Sequence, residues 1–226
     1  MWNNHTTQPL PCIKHAQTAA KIIYKDKQTL APAYHYAEIY FNPILAQTSP
    51  GHKGGIVSYA KTKKQLERIC LQDTSAFVTT LIDYYGLPND FPGLNCLPAQ
   101  SSAYERVCFL ENALQQDIAQ PNFIANYLLH EYEALLFCQV DKFADWVDDA
   151  PLEELRQIIS AFETPEHINN SRQTAPSKRI LNLVPRYKKV LHGPLIAGDI
   201  GLATIRQQCL HFDRWLRRIE RLPSTK

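Results

Sequence analysis

FVTTLIDYYGLPNDFPG, residues 77–93, changes character halfway along. Its first six side chains, Phe77 to Ile82, are apolar or β-branched, which suits a strand buried on both faces. Then come Asp83, two tyrosines, a Gly-Leu-Pro turn and Asp90. In open α/β sheets ligands gather at the carboxyl ends of strands. Asp83 is therefore either a ligand-binding group or a cap for the turn at Gly86.

The flanking segments read as an α/β fold with a mainly parallel sheet. AKTKKQLERICL (60–71) puts Leu66, Ile69 and Cys70 on one helical face, and AYERVCFLENALQQDI (103–118) spaces Val107, Leu110, Leu114 and Ile118 for another. NFIANYLLHEYEALLF (122–137) starts as a strand at Phe123 and closes near Leu129 on an acid-rich turn. DDAPLEELRQIISAF (148–162) opens a helix with Asp149 as cap and Pro151 in the first turn, and TAPSKRILNLV (174–184) does the same behind Pro176. LATIRQQCLHFDRWLRRIERL (202–222) predicts one long helix with a continuous apolar stripe. YAEIYFNPILAQ (36–47) reads as a short helix interrupted at Pro43. SPGHKGGIVSY (49–59) reads as a turn before a short strand, its glycines able to present N–H groups to a phosphate or simply to turn. In the first thirty residues only KIIY offers any hydrophobic periodicity, too short and too charged around it to predict a strand. The expected division is a poorly defined segment over 1–35, an α/β core over 36–145 and a helical portion over 146–226.

Composition narrows the class. In 226 residues, 45% hydrophobic and 20% charged, no run reaches the ~18 apolar residues of a membrane helix, and the polar start MWNNHTTQPL is no signal peptide. The expectation is a cytoplasmic protein with no membrane contact. The six cysteines, at 12, 70, 96, 108, 138 and 209, show no CxxC pair and no Cys/His ligand spacing, which predicts free thiols rather than a zinc site. Charge is segregated: residues 131–166 hold ten acids and two bases, residues 170–226 twelve bases and three acids. Either the C-terminal third meets an anionic partner or the two segments neutralise each other.

A second acid group, Glu131 and Glu133 beside His130, stands at the end of the strand begun at Phe123. If the two strands are neighbours, Asp83 and Glu131 project into one crevice, where clustered carboxylates call for a cation or a retained proton. Oxygen ligands of this kind suit Mg²⁺ or Mn²⁺. His130 is either an orienting group for a bound water or phosphate, or a hydrogen-bonded structural histidine. Lys178 and Arg179 at a helix start, with Lys188 and His192, form either a phosphate clamp or a solvated face. Tyr84 and Tyr85 either stack bases or pack.

GHKGGIVSY, VTTLIDYYGLPNDFPG, LLHEYEALLF, TAPSKRIL and YKKVLHGPLIAGDIGLATIRQQCLHFDRWL, in that order, resemble a bacterial family defined by domain of unknown function 4276, over about residues 36–222. That resemblance implies a toprim-like fold, the metal-binding domain of topoisomerases, primases and a class of nucleases. It implies Mg²⁺ or Mn²⁺ as cofactor, DNA or RNA as substrate, an AAA-type ATPase as partner, and a mobile-element or phage-defence role. On it, Asp83 and Glu131 would hold metal with Asp90 or Glu133 assisting, and Lys178, Arg179, Lys188 and His192 would bind phosphate. The chain departs from the toprim pattern at its start: the positions of the first glutamates fall on Ala33 and Ala37, leaving Glu38. The second motif has Tyr85 in place of its second aspartate. The N-terminus thus reads as divergent or defective, and the alternative is a non-catalytic or degenerate toprim-like adaptor that docks on the ATPase.

Overall fold

Strand β3, Phe77–Asp83, is the hub of a five-stranded sheet. The computed structural model describes residues 17–25, 38–45, 56, 58–168, 171 and 173–223. The chain runs β1 (Gln17–Lys25), β2 (Glu38–Leu45), α1 (Tyr59–Gln72), β3, α2 (Ala103–Ile118), β4 (Phe123–Ile124) and β5 (Tyr127–Leu128). A 3-10 segment, Tyr132–Phe143, then leads into α3 (Leu152–Ser160), α4 (Pro176–Leu183), α5 (Lys189–Ile200), α6 (Leu202–Gln208) and α7 (Leu210–Glu220). The strand order is β2-β1-β3-β4, with β5 also pairing β3. β4 and β5 run parallel to β3, with Val78 opposite Phe123 and Asp83 opposite Leu128. β1 runs antiparallel to both β2 and β3. This is an α/β fold with a parallel three-stranded part and a helical C-terminal portion.

The five central residues of β3 are all buried because helices cover both faces. Alternation sorts the side chains. Val78 and Ile82, with Phe123, Ala125, Tyr127 and Leu129, pack toward Leu66, Ile69, Val107, Leu110 and Leu114 of α1 and α2. Leu81 and Leu128 face the opposite layer, built from the 3-10 segment and α3 to α7. The two buried threonines of β3 are satisfied rather than tolerated. Thr79 donates to the Ile124 carbonyl at 2.8 Å and accepts from the Trp215 indole at 3.0 Å. Thr80 donates to the Asn126 carbonyl at 2.7 Å and accepts from its N–H at 3.0 Å, so a side chain bridges the gap between β4 and β5.

Two N-terminal expectations are corrected. Residues 17–25 form a strand inside the sheet, although KIIY alone is too short to predict one. Residues 38–45 form β2 rather than a helix. β2 is at the edge of the sheet, where a proline such as Pro43 is tolerated because one side needs no ladder bond. The predicted helix over 202–222 breaks at Cys209, whose backbone (φ −115°, ψ 82°) is not helical. There the Cys209 thiol lies 3.4 Å from that of Cys138, both buried. The five described cysteines are free. Asp149 does not cap α3; it adopts positive φ (57°), and Pro151 takes the cap position. The motif GHKGG and positions Ala33 and Ala37 lie outside the described residues.

One device recurs in this fold. Helices α1, α4 and α7 lack a capping side chain of their own. Each receives a carboxylate from a distant part of the chain, which satisfies the free N–H groups and the positive end of the helix dipole. Asp90 accepts from the Tyr59 N–H at 2.8 Å. Glu131 accepts from the Ser177 N–H at 2.9 Å and from its hydroxyl at 3.1 Å. Glu166 accepts from the N–H groups of His211 and Phe212, both at 2.9 Å.

Candidate functional site

Parallel pairing of β3 with β5 brings Asp83 level with Leu128, so the chain leaving β5 carries His130, Glu131 and Glu133 past the end of β3. Asp83 accepts a hydrogen bond from the Tyr132 N–H at 3.2 Å. Three carboxyls are thus gathered near the carboxyl end of the parallel strands, where α/β sheets bind ligands. Asp83 is half-buried, and Glu131 and Glu133 are buried. Burial holds the Asp83 carboxyl well above the usual carboxylate range, and the charges of Glu133 and Glu131 push it the same way. Burial also raises Glu133, against the pull of Lys189, whose ammonium lies 3.1 Å from Glu133 Oε1.

Tyr187 closes the site from the side of α5. Its hydroxyl is buried and has no hydrogen-bond partner, and burial, helped by the charges of Glu133 and Glu131, pushes its pKa up. Gly193 leaves room for it: a Cβ at that position would lie 3.0 Å from the hydroxyl. A buried hydroxyl without a partner costs on the order of 1–3 kcal/mol, so an unsatisfied Tyr187 beside carboxylates marks a place for a polar ligand or a bound water.

His130 is 3% exposed, and burial together with the charge of His167 lowers its pKa to about 4. Its Nδ1 has no hydrogen-bond partner, and its ring lies 6.4 Å from that of Tyr84. It is neutral at pH 7. A histidine depressed on folding stabilises the protein above its unfolded pKa, and that stability is lost as pH falls from ~6.5 toward ~4. A drop of this size amounts to about 3 kcal/mol over that window. His130→Gln is expected to remove this component, so the difference between wild type and variant in urea unfolding should change with pH between those values. An unchanged difference would mean that the imidazole titrates alike in both states.

The other residues expected at the site divide. Asp90 is directed to the start of α1 and does not join Asp83. Arg179 donates to the Thr174 carbonyl at 2.8 Å and stacks on Phe162, a packing role. Lys178 and Lys188 are exposed, and the Lys188 N–H donates to His192 Nδ1 at 3.1 Å. The lysine that reaches the carboxylates is Lys189, one residue on. Nothing in the sequence marks Tyr187 or Ser177 as a site residue, and Lys189 is marked only by its place beside Lys188 near His192.

The acidic oxygens suit a hard divalent cation, and the unpartnered Tyr187 hydroxyl suits a cation-bound water. Both Glu131 oxygens are engaged by Ser177, which leaves Asp83 and Glu133 as the available ligands. Among the described residues, Asp83, Glu131 and Glu133 do not form a set with ligand atoms all within 4.8 Å of one another. A bound ion would have to draw them together against the hold of Lys189.

The charge segregation is partly internal. Glu133 pairs with Lys189, while Glu131 and Glu166 cap helices of the basic segment. Of the C-terminal arginines, Arg206 pairs with Asp213 and Glu220, Arg217 with Asp213, and Arg214 with Glu111. No helix among the described residues is long and apolar enough to cross a membrane.

No curated protein and no solved structure matches the chain. The family described as Domain of unknown function (DUF4276) matches residues 26–220, and with most of its length covered the chain belongs to that family.

Proposed function

We propose that the protein is a Mg²⁺- or Mn²⁺-dependent phosphodiesterase of toprim type that cleaves DNA or RNA. The observation that supports this reading is the gathering of Asp83, Glu131 and Glu133 near the carboxyl ends of β3 and β5, where burial and the charges of Glu133 and Glu131 raise Asp83. A divalent cation bound there would neutralise the carboxylates, bind phosphate oxygens and lower the pKa of a bound water. Asp83 and Glu133 are the ligands in this reading. Burial raises Glu133 above the usual carboxylate range, against the pull of Lys189, which suits it to share in proton transfer. Glu131 acts as a positioning residue through α4. Lys189, with Lys188, Lys178 and His192 at the rim, supplies positive charge toward a phosphate, and Tyr187 orients a water.

The second reading is a non-catalytic adaptor with a degenerate site. It is favoured by the engagement of both Glu131 oxygens with Ser177 and by Lys189 already neutralising Glu133. An AAA-type ATPase, and mobile-element or phage-defence work, belong to either reading as the proposed setting.

The two part in a cleavage assay on single- and double-stranded DNA and RNA. The enzyme reading predicts cleavage with Mg²⁺ or Mn²⁺, none with chelator, and a loss of at least about a hundredfold in Asp83→Asn, in line with removal of a principal catalytic group. Cation binding without cleavage of any of these substrates would favour the adaptor.

A further inference from the structure

A second cluster of chemistry-bearing side chains lies between α2 and α7. Cys108 and Glu111 are one helical turn apart on α2, and His211 comes from the first turn of α7. The Cys108 thiol, a Glu111 oxygen and a His211 ring nitrogen all lie within 4.8 Å of one another. Glu111 and His211 are buried, at 5% and 2% exposure. His211 Nε2 stands 3.0 Å from Glu111 Oε1, yet makes no hydrogen bond. Beside the three, a cavity of about 290 Å³ is lined by Cys108, Glu111, Asn112, Gln115, Arg214 and Arg218.

A cationic nitrogen already sits in this cleft. Arg214 Nη2 donates to Cys108 Sγ at 3.2 Å and to Glu111 Oε2 at 3.0 Å. Its Nη1 donates to the Tyr104 hydroxyl at 2.9 Å, and the guanidinium lies over the Tyr104 ring at 5.2 Å. A clasp between α2 and α7 made only of Glu111 and Arg214 would need neither the thiol nor a buried imidazole nitrogen left without a hydrogen bond. Sulfur, imidazole and carboxylate together are the ligand set of a borderline-soft transition cation, and three such ligands beside a cavity leave the fourth position open.

We propose that Cys108, Glu111 and His211 form a site for a Zn²⁺-class cation, and that Arg214 is the occupant which the ion displaces. On binding, Cys108 gives its proton to solvent and the thiolate bonds the metal, Glu111 binds through the carboxylate oxygen that Arg214 releases while Oε1 keeps the Tyr127 N–H at 3.1 Å, and His211 binds through the neutral Nε2 lone pair. No electron is transferred. Arg214 keeps its contacts with Tyr104 while leaving the sulfur. Because α2 belongs to one layer over the sheet and α7 to the other, the ion staples the two layers together.

Cobalt titration of the purified protein tests this, since a cobalt–thiolate bond gives a charge-transfer band that oxygen ligands do not. The expected result is one Co²⁺ per chain with that band, displaced by Zn²⁺, and a rise in melting temperature. Cys108→Ser should abolish the band, and His211→Gln should weaken binding by more than about tenfold, the least that loss of even an outer-shell partner costs. Arg214→Gln should bind more tightly than wild type, because its competitor is gone. Asp83→Asn should leave the band unchanged, which separates this site from the acidic one. If neither wild type nor Arg214→Gln shows the band, or if Cys108→Ser retains it, the site does not exist and the cluster is a polar clasp.

Discussion

Glu131→Ala is expected to destabilise the fold by about 2–4 kcal/mol, because it removes a buried, charged acceptor from two donors at once. The Ser177 N–H is the first free donor of α4, since Pro176 before it has none, and that helix has no cap of its own. Without Glu131 the Ser177 N–H and hydroxyl are both left buried. Relief of repulsion on Asp83 offsets a little of this. Glu131→Gln keeps an acceptor for the N–H and an amide for the hydroxyl oxygen, and should cost about 1 kcal/mol. Urea unfolding measures both. Equal and small effects from Ala and Gln would show that the carboxylate does not hold α4.

Asp83→Asn is expected to raise the melting temperature in the absence of metal by about 2–4 °C, the equivalent of about 1 kcal/mol in a chain of this size. Asn still accepts from the Tyr132 N–H but carries no charge to repel Glu133 and Glu131. The sign follows from the raised pKa. A carboxyl lifted on folding contributes stability below its unfolded pKa, and loses it as pH rises through the folded value. The gain from Asn should therefore grow as pH rises above ~4 and vanish below it. Saturating Mn²⁺ or Mg²⁺ should reverse the order: at a hundred times its dissociation constant, an ion bound only by the native state adds about 2.7 kcal/mol to wild type. The variant should gain little. An Asp83 that merely caps the turn at Gly86 predicts nearly equal proteins with no response to metal.

The parts of the fold legible in the sequence were those with an uninterrupted local pattern. β3 announced itself by six consecutive sheet-forming residues, α2 by its apolar spacing, and α4 by Pro176. The elements that were missed are those in which the local signal is diluted. In β1 the large apolar side chains are confined to Ile22, Ile23 and Tyr24 within nine residues, and β2 carries Pro43, which an edge strand accommodates. α5 was hidden by Gly193, Pro194 and Gly198 inside twelve residues. The break at Cys209 leaves the apolar stripe of α6 and α7 unchanged in composition, so periodicity could not reveal it.

The acids show the same limit more sharply. The sequence placed Asp83, Glu131 and Glu133 at strand ends, and β3–β5 pairing brings them together. It could not separate ligands from caps, because the helix that Glu131 serves lies 46 residues away and the one that Asp90 serves 31. Cys108 and His211 likewise meet only through the packing of α2 on α7, which spacing along the chain does not encode.

In the proposed enzyme, the end of β3 is a divalent-cation site centred on Asp83 and Glu133. Electron paramagnetic resonance of Mn²⁺ tests it most directly, because the six-line signal of the free ion fades on binding and Mn²⁺ prefers oxygen ligands. The account predicts one bound Mn²⁺ per chain, competed by Mg²⁺ and lost in Asp83→Asn while Cys108→Ser binds as wild type does. An undiminished free-ion signal with the wild-type protein, or equal binding by Asp83→Asn, would contradict it.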